Sequence, residues 1–511
     1  MYGIHEIIDK RLIDLYNCFR RLLENPGAHD SDSKQRLFNL LLDWELYAAA
    51  SVLYRKTITA KSLTLRAKFN NIEPTYGSID EHSLDSVTSF SKSESARVVE
   101  QIVKARLRPL RIRNKSSPLK VLMLIDSLGP GGAERQFVNL FNYLSEGVSG
   151  LIVHGLVLNS EGKDNGSFFF SELKKQYLHN IVKGESLKNK DFGESLFPRR
   201  SRNSALRKVR SALSADNYDL CVSFLEETSM ICGVASLLTG VPILTRFGSL
   251  PNFINRDRSE KQLIALATRF SVFQALPSDR IVWGANSRKC LTAYLKHITP
   301  GDFKHKVINN IVAAPEIVDV VDVPEYGAID PDAFIVLSVM RLSEEKRPQL
   351  FLDVCKRFYS QADIKFLLVG DGPMAGTLEK FIAEESPPNF CWIRQSSNVG
   401  SYYNYCSLYL MTSRVEGSPN SVLEASLMGR ASIVADVGGV SEIFEDKVSA
   451  VFVKDLRDAA EYARAIEDLF NNRQRLHWIG KNARLRVEDL YSGRKTAVAL
   501  LTAVDLFANH N

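Results

Sequence analysis

Apolar and polar positions change their rhythm twice along this chain. Ile4, Ile8, Leu12, Leu15, Phe19 and Leu22 recur at helical spacing, and Leu37–Tyr54 repeats the pattern as a second amphipathic helix. From Asn70 to Glu94 the chain is polar and Ser-rich, which predicts a loop, and Lys104–Lys115 then carries six basic residues and no acid. At Pro118 the texture switches. Pro118–Leu128 is a nearly continuous apolar run, as in a strand buried on both faces of a parallel sheet, and a glycine-rich turn leads from it into an amphipathic helix. Gly150–Leu158, Tyr218–Leu225, Val241–Phe247 and Asp279–Asn286 repeat the apolar run, with helix-like segments between several of them. A second series runs through Ala333–Leu342, Ile364–Pro373, Asn389–Arg394, Leu408–Arg414 and Ala431–Gly439. Strand–helix alternation predicts doubly wound α/β domains. The expected organisation is a helical extension over 1–117 and two Rossmann-like domains over 118–314 and 315–511. Ser492–Ala508 is expected to return as a helix to the first domain, and a ligand crevice to lie between the two.

Composition narrows the class. At 45% hydrophobic and 24% charged, the chain matches the globular average and excludes a disordered or collagen-like protein. The net charge is 65 − 59 = +6, and residues 1–115 hold 19 bases against 14 acids, so most of the excess sits in the extension. That is too little to imply nucleic-acid binding. The seven cysteines are scattered without a CxxC pair and read as reduced thiols, which places the chain in the cytoplasm. The N-terminus has acids from its sixth residue and no apolar h-region, so no signal peptide is expected. Leu37–Tyr54 contains Asp43 and Glu45 and falls short of a membrane span, leaving only peripheral contact at the inner face. The basic groups Lys104–Lys115 and Arg199–Arg210 suit an anionic surface, and equally suit a solvated linker and a solvated helix face.

The chemistry-bearing residues fall at predicted strand ends. The turn Gly129-Pro130-Gly131-Gly132-Ala133-Glu134 would let backbone approach an anion at a helix start, or simply allow close packing. It fails the dinucleotide fingerprint because Glu134 stands where the last glycine belongs, and no ribose-binding acid follows the next strand, which argues against a nicotinamide oxidoreductase. Arg341 and Lys346 follow a buried-strand pattern and would face the crevice as a diphosphate-holding pair, unless Glu344 and Glu345 neutralise them in a surface loop. Gly370–Pro373 is another glycine turn at a strand end. Glu416 and Glu424 lie eight apart around a helix start, with Asn420 or Ser421 as its N-cap; two such glutamates could also merely compensate a helix dipole.

Taken in order, GGAER (Gly131–Arg135), Arg341 with Lys346, GDGP, EGSPNSVLEA (Glu416–Ala425) and DVGGVSEI (Asp436–Ile443) resemble glycosyltransferase family 4, the retaining, nucleotide-sugar-dependent enzymes of GT-B fold. The resemblance implies an α/β chain of two facing Rossmann-like domains, the first binding the acceptor and the second the donor. Arg341 and Lys346 would neutralise the departing diphosphate, Glu416 would contact the donor sugar, and Glu424 would bind the ribose hydroxyls. Amides of Asn420, Ser421, Val422 and Leu423, with Gly131 and Gly132 across the crevice and Gly372 beside it, would cradle the phosphates, and Arg394 would lie near the base. No metal or other cofactor is expected. The partners implied are a nucleotide sugar and a glycan or lipid-linked acceptor, in cell-surface polysaccharide or glycolipid synthesis. One departure stands out: family members often carry a histidine after a first-domain strand, where this chain has Arg246. Arg246 would contact sugar or acceptor, or pair with Glu226 or Glu227, which are further candidates for such a contact. The alternatives are a non-catalytic GT-B subunit of a synthesis complex and a sugar-nucleotide epimerase; a phosphorylase would need a cofactor-bearing lysine for which no signal is present.

Overall fold

A computed structural model describes residues 4–25, 30–43, 46–57, 99, 102–104, 107–111, 117–159, 168–183, 197, 200–251, 260–298, 304–317, 322–323, 327–328, 333–396 and 398–508. The predicted loop over Asn70–Glu94 lies outside them. The extension opens with α1 (Ile4–Glu24), α2 (Ser31–Asp43) and α3 (Tyr47–Thr57). The single helix expected over Leu37–Tyr54 is therefore two, with the Leu46 amide turned back onto the Leu41 carbonyl at 2.8 Å between them. Their apolar stripes close on one another: Leu15, Phe19, Phe38, Leu41, Ala50 and Leu53 form a core of their own.

The first α/β region comprises β1 (Leu119–Ile125), α4 (Gly132–Gly147), β2 (Leu151–Val157), β3 (Ile181–Lys183), α5 (Arg200–Ala215), β4 (Leu220–Phe224), α6 (Glu226–Thr239), β5 (Ile243–Arg246), α7 (Glu260–Ala275), β6 (Ile281–Ala285), α8 (Arg288–Ile298) and β7 (His305–Val307). A short antiparallel ribbon, β8 (Asp322–Val323) and β9 (Gly327–Ala328), lies in the acidic, proline-bearing connection. The second region comprises β10 (Phe334–Val339), α9 (Pro348–Lys356), β11 (Ile364–Val369), α10 (Ala375–Glu385), β12 (Phe390–Ile393), α11 (Val399–Tyr405), β13 (Leu408–Met411), α12 (Asn420–Leu427), β14 (Ala431–Ala435), α13 (Val440–Ile443) and β15 (Val451–Val453). Three helices follow: α14 (Ala459–Asn471), α15 (Arg473–Leu490) and α16 (Gly493–Ala508).

Both sheets are parallel throughout, in the orders β3-β2-β1-β4-β5-β6-β7 and β12-β11-β10-β13-β14-β15. Alternate residues of each apolar strand serve opposite faces, which is why the runs show no polar alternation. In β1, Leu122 and Leu124 enter one core while Val121, Met123 and Ile125 enter the other. In β10, Phe334 and Val336 oppose Ile335 and Leu337 in the same way. Helix α16 leaves the second region and places Ala497, Leu500 and Ala503 in the core of the first sheet, against α4 and β7.

Strand order reverses between β1 and β4 in one sheet and between β10 and β13 in the other. At such switch points the loops leaving adjacent strands diverge and open a crevice at the carboxyl ends. The Gly131 turn leaves β1 and Glu226 follows β4; Arg341 follows β10 and Glu416 follows β13. Sheet topology alone thus delivers four of the predicted segments to two facing strand edges.

Candidate active site

In the second region, close backbone contact sets the basic pair. Gly370 has φ +143°, and a Cβ there would lie 1.8 Å from the Met340 carbonyl oxygen. Only glycine lets the β11 loop approach the β10 loop this closely. Gly372 lies beside it, where a Cβ would sit 2.6 Å from the Leu342 oxygen, and the Leu342 amide donates to Asp371 O at 2.9 Å. These contacts fix the loop that carries Arg341. Lys346 ends a single 3₁₀ turn (Glu344–Lys346) whose last carbonyl accepts from Thr412 Oγ1 at 2.9 Å, and its Nζ donates to Glu416 Oε1 at 2.6 Å. The neutralisation of Lys346 by Glu344 or Glu345 is thus not what forms; Glu345 instead accepts from Ser343 Oγ at 2.6 Å.

Helix α12 begins differently from expectation. Its N-cap is Pro419, which has no polar side-chain group to offer, and neither Asn420 nor Ser421 caps it. The first amide to find a carbonyl at this start is that of Leu423, on Pro419 O at 3.2 Å, so the amides of Asn420, Ser421 and Val422 lead the helix without a side-chain cap. The Val422 and Leu423 side chains are buried in the core behind. Asn420 is spent on the opposite wall: its Oδ1 accepts from Asn310 Nδ2 (2.6 Å) and Gln136 Nε2 (3.1 Å), and its Nδ2 donates to Gly132 O at 3.3 Å. Asn310 also donates to Ser418 O at 3.1 Å.

Glu424, one turn into α12, is buried. Its Oε1 accepts from Arg135 Nη1 at 2.6 Å, across the crevice, and its Oε2 accepts from Tyr403 OH at 3.0 Å. Burial pushes its carboxyl above the ordinary range, against the pull of Arg135 and Tyr403. Burial likewise opposes charge on Arg135, but Glu424 and Glu172 more than offset it and hold the guanidinium above its usual value. Arg135, Tyr403, Asn310 and Gln136 were absent from the sequence-derived site. Arg135 lies inside the GGAER segment, where its place at the start of α4 is the one signal that points to the crevice.

The Gly131–Gly132 turn faces α12 as expected, with Asn420 Nδ2 donating to Gly132 O. Glu134 folds back over it, so a Cβ on Gly131 would lie 2.1 Å from Glu134 Oε2, and the carboxylate takes a bond from its own amide. Burial and the nearby Asp126 raise Glu134, while Arg341 from the second region lowers it.

The remaining candidates separate. Glu226 accepts from Tyr294 OH and pairs with Arg269 at 3.3 Å; Glu227 holds Arg202 at 2.6 Å and Arg269 at 3.2 Å. Neither glutamate pairs with Arg246, which corrects that expectation: the guanidinium of Arg246 instead donates through Nη2 to Asn310 Oδ1 at 2.7 Å and lies 5.2 Å from the Phe224 ring. Burial draws its pKa down to about 10, so it stays charged at neutral pH. Arg394 stands at the end of β12, away from the switch point, stacked at 4.5 Å over Trp392 and paired with Glu379. The basic groups are partly structural. Arg111 donates its amide to Gly240 O (2.9 Å), Nε to Thr239 O (3.2 Å) and Nη1 to Asp216 O (3.3 Å), docking residues 107–111 at the carbonyl end of α6. Arg202 is turned inward to Glu227, and Lys208 donates to Leu158 O at 3.0 Å. The reading of these stretches as wholly solvated therefore fails for these residues.

Two parallel-sheet domains facing a crevice, with α16 returning to the first, make up the GT-B fold. Anabaena Alr3699/HepE, solved in complex with UDP and glucose, superposes with a TM-score of 0.58 over 76% of this chain and 99% of its own, at 17% identity. Residues 323–486 match the family model for glycosyl transferases group 1. The chain is 24% identical over 263 residues to the Vi polysaccharide biosynthesis protein VipC/TviE of Salmonella typhi, covering 48% of this chain and 44% of that protein's length. It is 23% identical over 378 residues, 73% of this chain and 94% of the relative, to a Campylobacter jejuni GalNAc-alpha-(1->4)-GalNAc-alpha-(1->3)-diNAcBac-PP-undecaprenol alpha-1,4-N-acetyl-D-galactosaminyltransferase. Among the described residues no helix is long and apolar enough to cross a membrane, and no group of three or more His, Cys, Asp or Glu could hold a metal ion.

Proposed function

We propose that the chain is a retaining glycosyltransferase of family 4, moving a sugar from a nucleotide diphosphate to a glycan or lipid-linked acceptor in cell-surface polysaccharide synthesis. The observation that carries this reading is the Lys346–Glu416 pair at 2.6 Å, with Glu416 in the loop that leads into the uncapped start of α12. An acid that would contact a sugar and a cation that would contact its leaving group are held within one hydrogen bond of each other.

In this reading the bond between the anomeric carbon and the diphosphate oxygen breaks as the acceptor hydroxyl attacks from the same face, and the acceptor's proton passes to the departing phosphate. Negative charge grows on that diphosphate. Lys346, held on Glu416, and the α12 amides would offset that charge with Arg341 as the second cation; groups held in place before reaction reorganise little, which is the condition for electrostatic stabilisation of a transition state. They supply compensation that a divalent ion would otherwise give, so activity is expected to survive chelator. Glu424 has one bond on each oxygen; a carboxylate oxygen can accept a second, which leaves capacity for a ribose diol. Peripheral contact with an anionic membrane through the basic residues not engaged by the fold belongs to the same reading; absence of liposome flotation at low salt would remove it.

A screen of UDP-, GDP- and ADP-sugars by thermal shift and nucleotide release tests the function. At least one donor should raise the melting temperature and be consumed. A chain that binds and consumes none of them would overturn this reading in favour of the non-catalytic subunit.

A further inference from the structure

Four cations along this crevice and its first-domain wall are matched to carboxylates. Arg135 has Glu424, Lys346 has Glu416, Arg269 has Glu226 and Arg202 has Glu227. Arg246, at the carboxyl end of β5 and 1% exposed, has none among the described residues. Its Nη2 reaches only neutral acceptors, Asn310 Oδ1 at 2.7 Å and the Asn309 carbonyl at 3.4 Å. Nε and Nη1 are buried and bond to nothing.

An isolated buried cation is strongly unfavourable, and each buried N–H without an acceptor adds to that. An apolar side chain would fill the same space beside Phe224 at no such cost. A residue held charged, dry and under-bonded beside a crevice is the signature of a group waiting for an opposite charge. Position says which charge. Asn310, which holds Arg246, also bonds Asn420 and Ser418 O in the opposite domain, so the guanidinium is one side chain away from the start of α12 and the Glu416 loop. The diphosphate has its own partners there in Arg341, Lys346 and amides of the second domain. Arg246 belongs instead to the first-domain wall, so in that reading it would meet a sugar and not the diphosphate. Asn309 and Asn310, its two acceptors, are also residues that bond across the domain seam, to Leu490 O and to Asn420 and Ser418 O.

We infer that Arg246 binds a carboxylate carried by one of the two reacting sugars, so that the donor or the acceptor is a hexuronate. This rests on the glycosyltransferase reading. The carboxylate can come from either sugar, and the experiment separates the two.

The full-length protein is assayed with nucleotide sugars matched in stereochemistry, hexuronate against hexose, and with acceptors ending in hexuronate or in hexose. Thermal shift and kcat/KM are read for each. In one arm the acid should be preferred by roughly a hundredfold, the scale on which a buried charge is left unpaired, and that arm names the source. Arg246→Gln should cut the acid-to-neutral ratio at least tenfold, and Arg246→Lys should retain part of it. Should Arg246→Gln not fold, the wild-type ratio and thermal shifts decide without it. Hexoses consumed with no acid preference in either arm would overturn the inference while leaving the glycosyltransferase reading intact. If no nucleotide sugar binds or is consumed, the failure is that reading's, and the inference goes with it.

Discussion

Replacing Arg135 by Met should harm this protein more than replacing its partner Glu424 by Gln, although both changes delete the same 2.6 Å ion pair. The asymmetry comes from burial. The Arg135 side chain is 33% exposed and Glu424 only 8%, so the arginine can turn to water while the glutamate cannot. Removing a partner from a fully buried pair costs about 3–5 kcal/mol. With one partner near the surface and Tyr403 still donating to Glu424, the lower figure of about 2–3 kcal/mol applies to Arg135→Met. For a domain of about 200 residues that is a fall of roughly 5–10 °C in Tm. Glu424→Gln keeps the bond from Tyr403, strands no buried charge, and should cost under about 1.5 kcal/mol. The pH dependence carries a sign. Burial raises the Glu424 carboxyl, so the folded state keeps a proton that the unfolded chain has released. Its stability contribution is therefore present below the ordinary carboxylate pKa and is lost as pH rises through the raised one. Arg135→Met removes the main opposing cation, moves Glu424 further up and widens that window. Its deficit should be small near pH 5 and grow toward pH 8, whereas Glu424→Gln should flatten the profile. Thermal melts of the two variants and the double variant at both pH values decide. Equal losses for the two single variants, or a deficit for Arg135→Met that shrinks as pH rises, would refute the reasoning.

Lys346→Ala should lower kcat by about a hundred- to a thousandfold, the range for removing one donor to a developing oxyanion, with a smaller effect on donor KM. Glu424→Ala should act mainly on donor KM; near wild-type kinetics in both variants would sink the site assignment. Gly370→Ala places a methyl group 1.8 Å from the Met340 oxygen at φ +143°, so a loss of about 3 kcal/mol or more is expected, read as a lowered Tm together with lost turnover. An unchanged melt for Gly370→Ala would mean that the β10 and β11 loops are not packed as described.

The parts of this molecule legible in its sequence are those decided by neighbours along the chain. Long apolar runs such as Leu119–Ile125 and Phe334–Val339 are buried on both faces, and their uniformity reveals them. The strands of the two large sheets that escaped notice, β3, β7 and β15, are three residues each and lie at sheet edges, too short to show any period. The α12 start was legible in place but not in chemistry. A preference for Asn or Ser as N-cap suggested the wrong cap, because Asn420 finds three polar partners in the facing wall and Pro419 takes the cap position by backbone shape.

What could not be read is which charges meet. Arg135 and Glu424 are 289 positions apart, and their pairing depends on how two sheets face each other, not on any local pattern. The same holds for Arg246. From the sequence its nearest acids in adjoining strand loops are Glu226 and Glu227, and pairing with them is one of two expectations, the other being contact with sugar or acceptor. Both are instead drawn to Arg202 and Arg269, which come from helices α5 and α7 packed beside α6. Four charges there resolve among themselves and leave the fifth unmatched. A surplus cation is therefore a property of the assembled wall, invisible in a net charge of +6 spread over 511 residues. It is also the property by which that wall would tell an acidic sugar from a neutral one.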